Sequence, residues 1–419
     1  MTLALYRGMM RALSPALLRA RVKRGKEDPA RISERIGEAS RARPAGTLIW
    51  IHGASVGESI SILPLVSALL QKPRRSVLVT TGTLTSARLM QERLPPGALH
   101  QYVPLDSAAF VRRFLAHWRP DLALFVESEL WPNLILETRA RGVPMALVNA
   151  RLSERSFRGW RRAPGLARAL LASFDACLAQ DAEVAGRLTA LGAPAVGIAG
   201  SLKADAPPLP VDEAALGAFR SRVGTRPLFL AASTHPGEEE IILAVAERLR
   251  GEGEEAVTII VPRHPERGTA IAELATARGF AAARRTADDP LTSETAVYVA
   301  DTLGELGLFY RAARFAFLGG SLVPHGGQNP LEPARLGAGV VTGPHTENFS
   351  GIFQTLLAAQ GEGLVRSESE LHAVVKSLIR FPDRAVELGA RARAAAERMG
   401  GALAVTVETA EGLLAHARA

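Results

Sequence analysis

The chain has 419 residues, of which 47% are hydrophobic and 22% charged, and its formal net charge is +8. This composition is typical of a globular α/β protein, and the length is sufficient for two or three domains with full cores. The single cysteine, Cys177, excludes intrachain disulfides and any cysteine-rich metal site. Its apolar neighbours favour inert packing in a core.

The positive charge lies mainly at the N-terminus. Residues 1–43 contain eleven Lys or Arg and four Asp or Glu residues, so they carry +7 of the net charge. The remaining chain is nearly neutral, which argues against nucleic acid as a partner. The segment has no run of about 20 apolar residues, so it does not predict a transmembrane helix. Its mixture of apolar residues and arginine favours a helix on an anionic membrane surface, and a basic terminus without that role is the alternative.

From Thr47 onwards, short apolar runs alternate with stretches of helical periodicity. This alternation predicts parallel, doubly wound sheets. The proline-dense segment from Asp205 to Val211 cannot continue a helix or a central strand, so it predicts a linker between two domains. The predicted strands are 47–51, 76–80, 121–126, 144–148 and 174–179 before the linker, and 227–232, 256–261, 296–299, 314–318 and 338–342 after it.

Helices are predicted between these strands, and the Ala-, Arg- and Glu-rich stretch 383–417 is also predicted to be helical. Two similar domains joined by a linker predict a cleft, with ligand sites at the carboxyl ends of the strands. The other predicted helices are 59–70, 83–93, 107–117 and 130–141 in the first half, and 237–250, 265–278, 304–313, 330–336 and 368–380 in the second.

The stretch Thr47 to Glu58, TLIWIHGASVGE, predicts a buried strand, a glycine turn and the start of a helix. Glu58 at this junction fits an ordinary first-turn residue that stabilises the helix. It also fits a general base at the mouth of a cleft. A helix start should lower the pKa of a carboxylate, so an effective base here would need burial or the nearby Glu129 to offset that effect.

Two further charged groups follow strands of the first half. Glu129 fits a helix cap, and it equally fits a second carboxylate that orients a base or stabilises a developing cation. Lys203, in the motif GSLKAD, could neutralise an anionic leaving group, although a lone lysine is usually a surface residue.

Polar or glycine motifs follow several strands of the second half. Hydroxyls and backbone amides at helix starts can bind anions, and Glu332 could accept hydrogen bonds from two vicinal hydroxyls of a ribose. The second half is therefore predicted to bind a nucleotide. The motifs are Ser233-Thr234-His235, Pro262-Arg263-His264-Pro265, Asp301 to Leu306, Gly319-Gly320-Ser321 and Gly326 to Pro333.

Several other chemistries are not supported by the motifs present. The chain has no GxxxxGK[ST] phosphate-binding loop, no HExxH zinc motif and no paired cysteines. The GASVG turn matches the bare GxSxG pattern of a nucleophile elbow, but it follows the first strand instead of a late central one.

Nine sequence motifs, taken in their order along the chain, resemble those of the 3-deoxy-D-manno-oct-2-ulosonic acid (Kdo) transferases of lipopolysaccharide assembly. The resemblance extends from about Trp50 to Phe349. It implies the GT-B fold, an α/β architecture of two Rossmann-like, doubly wound domains facing across a cleft. The motifs are WIHGASVGE, ESELWPN, NARLSERS, GSLKAD, STHPGEEE, PRHPER, DTLGELGLFY, FLGGSLVPHGGQNPLEPA and GPHTENF.

The resulting domain prediction has a membrane-associating arm, an acceptor-binding domain, a linker, a CMP-sugar-binding domain and a C-terminal helix. Their predicted bounds are 1–43, 44–205, 206–211, 212–400 and 401–419.

The resemblance implies inverting transfer of Kdo from CMP-Kdo to the 6′-hydroxyl of a tetra-acylated lipid A precursor, lipid IVA. Glu58 matches the family's catalytic base, and Glu129 and Lys203 match positions that stabilise the transition state. The positions matching CMP contacts are Pro262, Arg263, Leu303, Gly304, Glu305, Asn329, Pro330, Leu331 and Glu332.

Neither a metal nor a cofactor is expected, because CMP-Kdo is a substrate and a single phosphate leaving group can be neutralised by lysine, arginine and helix amides. The expected partners are CMP-Kdo, the lipid A precursor and the anionic inner membrane of a Gram-negative bacterium. The expected location is the cytoplasmic face of that membrane, with peripheral or N-terminal attachment. Two alternatives stay open: a GT-B glycosyltransferase or epimerase that uses a UDP-sugar, and a non-catalytic membrane-associated nucleotide-binding module.

Overall fold

The computed structural model describes residues 3–205 and 207–417. Residues 1–2 of the predicted arm, 206 of the predicted linker and 418–419 of the last predicted helix lie outside the described residues. The chain divides into two compact units, one formed by residues 1–206 with 400–419 and the other by residues 207–399.

The first unit contains a parallel sheet that, within residues 3–205, has seven strands in the order β3-β2-β1-β4-β5-β6-β7. The strands are β1 Thr47–His52, β2 Arg75–Thr81, β3 Ala98–Tyr102, β4 Leu122–Val126, β5 Met145–Ala150, β6 Ala176–Ala179 and β7 Val196–Ile198. The helices are α1 Leu3–Lys23, α2 Val56–Ser61, α3 Leu63–Leu69, α4 Leu84–Arg93, α5 Ala108–Trp118, α6 Pro132–Arg139, α7 Glu154–Arg161, α8 Pro164–Leu171 and α9 Ala182–Ala190.

The second unit contains a parallel sheet that, between residues 207 and 399, has six strands in the order β10-β11-β9-β8-β12-β13. The strands are β8 Leu228–Thr234, β9 Val257–Pro262, β10 Ala282–Arg284, β11 Val297–Val299, β12 Phe315–Leu318 and β13 Gly339–Thr342. The helices are α10 Glu213–Val223, α11 Glu238–Gly251, α12 Gly268–Ala277, α13 Leu306–Ala312, α14 Leu331–Arg335, α15 Ser350–Gln360, α16 Glu368–Arg380 and α17 Pro382–Arg398. Helix α18, Ala402–His416, belongs to the first unit.

The sheet of the first unit is buried on both faces, because helices cover each side of its central strands. Along β1, Leu48 and Trp50 enter one apolar cluster and Ile49 and Ile51 enter the other. This two-sided burial explains why the strands read as continuous apolar runs in the sequence.

The N-terminal segment packs against the first unit through polar contacts. In α1, the Tyr6 hydroxyl donates to Asp106 Oδ2 at 2.6 Å, and Arg7 donates to Glu137 at 3.0 Å. A 3-10 segment follows, Pro29–Ile36, whose Arg35 forms a buried ion pair with Glu27 at 2.7 Å. Within the described residues, no helix combines the length and apolarity needed to cross a membrane.

Helix α18 completes the core of the first unit. Its Ala402, Ala410 and Leu414 pack in the same cluster as Ile49 and Ile51 of β1. The Asp205 carboxylate, at the end of the first pass of the chain, accepts hydrogen bonds from the amides of Gly401 and Leu403 at 2.7 Å each. The chain therefore returns to its first unit after it has formed the second.

The predicted doubly wound α/β class is confirmed, and every predicted strand corresponds to an observed one. Strands β3, β7 and β10 were missed, because all three are edge strands without a long apolar run. The helix predicted at 59–70 begins earlier and is divided into α2 and α3. The C-terminal stretch predicted as one helix is α17 and α18, separated at Gly400–Gly401.

Packing of α17 against the second sheet gives a test of this unit. A Cβ at Gly389 would lie 2.0 Å from the Gly337 carbonyl oxygen, whereas a Cβ at Gly217, in α10, would have no neighbour within 4 Å. We expect Gly389→Ala to lower the free energy of unfolding by about 1–3 kcal/mol through overpacking. Gly217→Ala should raise it by roughly 0.5–1 kcal/mol. Urea denaturation of both variants measures these changes, and equal effects would contradict the packing.

Candidate active site

The carboxylate of Glu58 is buried at the carboxyl end of β1, where the strand turns into α2. Ser55 caps this helix, and its hydroxyl donates to Glu58 Oε1 at 2.6 Å. The Ala54 amide donates to Oε2 at 2.8 Å. A Cβ on Gly53 would lie 3.2 Å from the Glu58 Cβ, so the glycine permits this close approach. The turn thus holds Glu58 in one orientation, 7% exposed.

Burial raises the pKa of the Glu58 carboxyl above its ordinary value. The hydrogen bond from Ser55 opposes this shift, while the nearby charges of Glu129 and Glu127 reinforce it. Desolvation therefore outweighs the hydrogen bonding at the helix start, and the pKa of Glu58 moves toward the range that suits a general base.

Glu129 follows β4 and lies beside two aromatic rings. Burial alone would raise the pKa of its carboxyl, but His52 and the Trp131 indole N–H, which donates to Oε2, together hold it below the ordinary value. His52 Nε2 lies 3.7 Å from Glu129 Oε2. Glu129 is therefore held as an anion close to Glu58.

His52, the last residue of β1, is a site residue that the sequence analysis missed. Its ring is fully buried, and Nδ1 lies 3.0 Å from the Thr80 hydroxyl. Because that hydroxyl already accepts the Trp50 indole N–H at 2.8 Å, its own proton is available to Nδ1. Nδ1 also lies 3.3 Å from the Thr80 carbonyl oxygen, so Thr80 orients the ring whichever nitrogen carries the proton. The histidine directly after the apolar run was the available signal.

Lys203 lies on a short 3-10 turn, Leu202–Asp205, after β7. Its Nζ forms an ion pair with Glu127 Oε1 at 3.3 Å. Asn149, at the end of β5, accepts the Leu202 amide at 3.0 Å and so fixes this turn. Glu58, Glu129 and Lys203 consequently lie on one edge of the sheet. Glu127 lies on the same edge, where it pairs with Lys203 and raises the pKa of Glu58.

Buried polar atoms without a hydrogen-bond partner concentrate on this same edge. Among the described residues, five buried side-chain atoms lack a hydrogen-bond partner. One is Gln101 Nε2, and the other four belong to His52, Asn149, Ser201 and Glu127, whose Oε1 forms the ion pair with Lys203. Those four residues lie at or just beyond the ends of β1, β4, β5 and β7. Unsatisfied buried groups are rare in proteins, so this concentration indicates a surface prepared for a polar ligand.

Three of the six non-glycine residues with positive φ angles in the described part of the chain lie at the carboxyl ends of strands. Glu127, Asn149 and Ser233 adopt left-handed φ angles of 56°, 51° and 57° without being glycine. They lie at the ends of β4, β5 and β8, and such conformations concentrate at functional sites.

In the second unit, Asn329 and Glu332 are adjacent at the start of α14. The Asn329 amide group donates to Glu332 Oε1 at 3.2 Å, and its oxygen accepts the Leu331 amide at 3.2 Å. Burial raises the pKa of Glu332, while Asn329 and the charge of Arg263 oppose the shift. Arg263, which follows β9, therefore lies close to Asn329 and Glu332, which follow β12.

The loop 302–305 presents a different arrangement. The Glu305 carboxylate pairs with both ends of the Arg285 guanidinium and accepts the Thr302 hydroxyl at 2.5 Å. Its side chain is thus already engaged, and the pKa of Glu305 is lowered chiefly by Arg285. Leu303 is 81% exposed. Gly304 is exposed as well.

Glu238, the first residue of α11, connects two strand ends of the second sheet. Its Oε2 accepts the amides of His235 at 3.0 Å and Gly320 at 2.7 Å. Its Oε1 accepts the amides of Ser321 and Leu322, each at 3.0 Å. The sequence showed only an acidic helix start. A carboxylate that fixes the glycine loop after β12 was not predicted.

Comparison with known proteins shows the family to which the chain belongs. Residues 30–206 match the family model described as 3-deoxy-D-manno-octulosonic-acid transferase (kdotransferase). The 3-deoxy-D-manno-octulosonic acid transferase of Rickettsia bellii is 34% identical over 356 residues, which cover 85% of each chain. That of Haemophilus influenzae is 37% identical over 370 residues, covering 86% of each chain. The chain belongs to the Kdo transferase family.

Solved structures support the GT-B fold of this Kdo transferase family member. The UDP-GlcNAc 2-epimerase of Neisseria meningitidis has a TM-score of 0.59 at 15% identity, covering 87% of this chain and 99% of that one. A glycosyltransferase from Rickettsia africae has a TM-score of 0.58 at 12% identity, covering 88% and 99%. At these identities the similarity concerns the fold alone.

The connection made by Glu238 gives a test. In Glu238→Gln, an amide nitrogen would face backbone N–H donors in place of a carboxylate oxygen. We expect the free energy of unfolding to fall by about 1.5–3 kcal/mol, the range for hydrogen bonds to charged groups. Glu240→Gln changes an exposed acid of the same helix turn and should have an effect below about 0.5 kcal/mol. Urea denaturation would contradict the connection if both variants matched the parent.

Proposed function

We propose that this protein transfers Kdo from CMP-Kdo to the 6′-hydroxyl of a tetra-acylated lipid A precursor, lipid IVA, in lipopolysaccharide biosynthesis, with inversion at the anomeric carbon. The observation that carries the proposal is the buried Glu58 carboxylate, whose pKa is raised by burial. Membership of the Kdo transferase family supplies the reaction class.

In the proposed reaction, Glu58 acts as the general base. A sugar hydroxyl is a poor nucleophile, so its proton must leave as the new bond forms. The acceptor oxygen attacks the anomeric carbon of Kdo, its proton passes to Glu58, and the bond from that carbon to the phosphate of CMP breaks. One displacement from the opposite side inverts the anomeric configuration.

Glu129 and Lys203 stabilise charge in this proposal. As the bond to phosphate breaks, positive charge develops on the Kdo ring, and the Glu129 anion beside Glu58 is suited to stabilise it. Glu129 also raises the pKa of Glu58, so one carboxylate favours proton uptake by the other. Lys203, held by Glu127, supplies positive charge to an anionic substrate group.

CMP is proposed to bind at the second sheet through the residues given above, from Pro262 to Glu332. Arg263 supplies charge to the phosphate, and the Glu332 carboxylate is placed to accept from the ribose hydroxyls. The proposal requires no metal and no cofactor, because lysine, arginine and helix amides can neutralise one phosphate.

A membrane surface is the proposed location of the acceptor. Helix α1 directs Tyr6 and Arg7 toward the domain, while Leu5, Met9, Leu13 and Leu17 are each at least 39% exposed. Their four-residue spacing forms one apolar stripe. The exposed cations Arg19, Lys23, Arg24 and Lys26 follow it. An apolar stripe beside positive charge is suited to peripheral docking on anionic lipid.

The transfer reaction tests the proposal directly. Incubation with lipid IVA and CMP-Kdo should increase the product mass by one or more Kdo residues. We expect Glu58→Gln to lower kcat by roughly 10²–10⁴-fold, while CMP affinity stays within a few-fold. In the parent, kcat should fall as the pH falls through the raised pKa of Glu58, because protonation removes the base. The variant should lack this acid limb.

Glu92→Gln, which changes an exposed glutamate of α4, is the control and should retain the parental rate. Turnover of a UDP-sugar without turnover of CMP-Kdo would overturn the donor assignment. A Glu58→Gln variant with near-parental kcat would overturn the base.

Vesicle binding tests the apolar stripe. We expect Met9→Glu with Leu13→Glu to weaken binding to phosphatidylglycerol-containing vesicles more than tenfold, because each buried apolar side chain contributes about 1.5–3 kcal/mol. Val386→Glu, at a residue of the second unit that is 55% exposed, should leave binding unchanged. Co-sedimentation measures both, and parental binding by the double variant would contradict the docking surface.

A further inference from the structure

Three histidines lie together at adjacent strand ends of the second sheet. His235 follows β8, and β9 and β12 are the neighbours of β8 in the sheet. The ring of His235 stacks on that of His325, with centroids 4.4 Å apart and planes at 19°. The His264 ring lies perpendicular to that of His235, at 6.2 Å. We call His235, His264 and His325 the histidine cluster.

The hydrogen bonding of His235 corresponds to a neutral ring. The Gln328 amide nitrogen lies 3.2 Å from His235 Nε2 and donates to it, which places the ring proton on Nδ1. Gln328 can also present its amide oxygen after a half-turn of the amide, so it could accept from a protonated Nε2. This partner is therefore compatible with both charge states of His235.

The charged groups around the cluster are mostly basic. Burial and then the charges of His325, His264, Arg263 and Arg267 lower the pKa of His235 to about 4. The acids on neighbouring elements are engaged elsewhere. Glu238 binds four backbone amides, and Glu239 pairs with Arg267 at 2.5 Å. Glu332 has a raised pKa. The remaining acid beside the cluster is Glu266, whose Oε1 lies 3.7 Å from His264 Nδ1, and both of these side chains are more than half exposed.

The histidine cluster is also connected to the proposed nucleotide site. Arg263 precedes His264 in the chain, and its charge acts on both His235 and Glu332. Gln328 precedes Asn329, which contacts Glu332. A nucleotide whose ribose meets Glu332 would therefore have its phosphate near the basic side of this loop.

We propose that the histidine cluster is the phosphate subsite of the nucleotide, and that it takes up a proton when it binds the phosphomonoester dianion of CMP. This inference rests on the proposed function and goes further, because it assigns the uptake of a proton by a histidine to the binding of the departing nucleotide. The phosphate of the donor is a diester with one negative charge. When its bond to the sugar breaks, CMP gains a second negative charge, and one histidine that takes a proton from solvent neutralises it. The anion supplies the negative charge that lets stacked imidazoles become cationic.

Calorimetry with CMP on the full chain tests this subsite. Binding measured near pH 7 in two buffers of different ionisation enthalpy should reveal uptake of about one proton per CMP. Cytidine, which lacks the phosphate, should bind without proton uptake. The affinity for CMP should decrease as the pH rises above neutrality, because the bound state holds a proton that it then loses.

Two variants locate the effect. His235→Gln and His325→Gln should each weaken CMP binding about tenfold, the loss of one hydrogen bond to a charged group, and reduce proton uptake while leaving cytidine affinity unchanged. His325 is exposed, so its variant is not expected to disturb folding. His416→Gln, at an exposed histidine of α18 in the first unit, is the control and should match the parent.

CMP binding without proton uptake, together with parental CMP affinity in both variants, would overturn the phosphate subsite. If such a protein still transferred Kdo, the proposed function would stand and only this inference would fail. A protein that bound no CMP and transferred no Kdo would overturn both proposals.

Discussion

Burial of a carboxylate at the end of the first strand is the constraint on which the candidate site depends. Glu58 is withdrawn from water and receives two hydrogen bonds from its own turn. The carboxylates of Glu127 and Glu129 act on it from the loop after β4, so its charged form is disfavoured by burial and by like charge together. The Gly53 turn, the His52 ring and the loop after β4 all serve to hold this arrangement.

Glu238 of the second unit occupies a position similar to that of Glu58, but its carboxylate is fully hydrogen-bonded to the backbone. Glu238 also opens the helix that follows the first strand of its sheet, but its oxygens accept four backbone amides from two segments of the chain. Those bonds occupy the carboxylate and fix the glycine loop. Glu58 receives hydrogen bonds only within residues 54–58. The same residue type at equivalent places therefore suits a structural role in one unit and a proton-transfer role in the other.

The parallel sheet explains why polar residues from distant parts of the chain meet at the edge beside Glu58. Carboxyl ends of parallel strands lie on one edge, so polar residues distant in the sequence become neighbours there. His52, Asn149 and Ser201 share this edge, and each has a buried polar atom without a hydrogen-bond partner. Burial of these atoms lowers the stability of the fold, and hydrogen bonds to a polar substrate would offset that loss. The buried groups that destabilise the fold therefore lie where the substrate is proposed to bind.

The sequence by itself determined the α/β class, the two-unit organisation, the main strands and the turn that carries Glu58. These features are local, since apolar runs, glycine turns and prolines act through their own neighbours in the chain. Its ordered motifs also pointed to the Kdo transferase family. Only the tertiary structure decided that α18 returns to the first unit, that His52 lies beside Glu129, and that Glu238 holds the loop after β12. It also decided the direction in which the pKa of Glu58 shifts. A helix start lowers the pKa of a carboxylate through nearby amides, whereas burial depends on what the whole fold packs around it, and no local pattern records that packing.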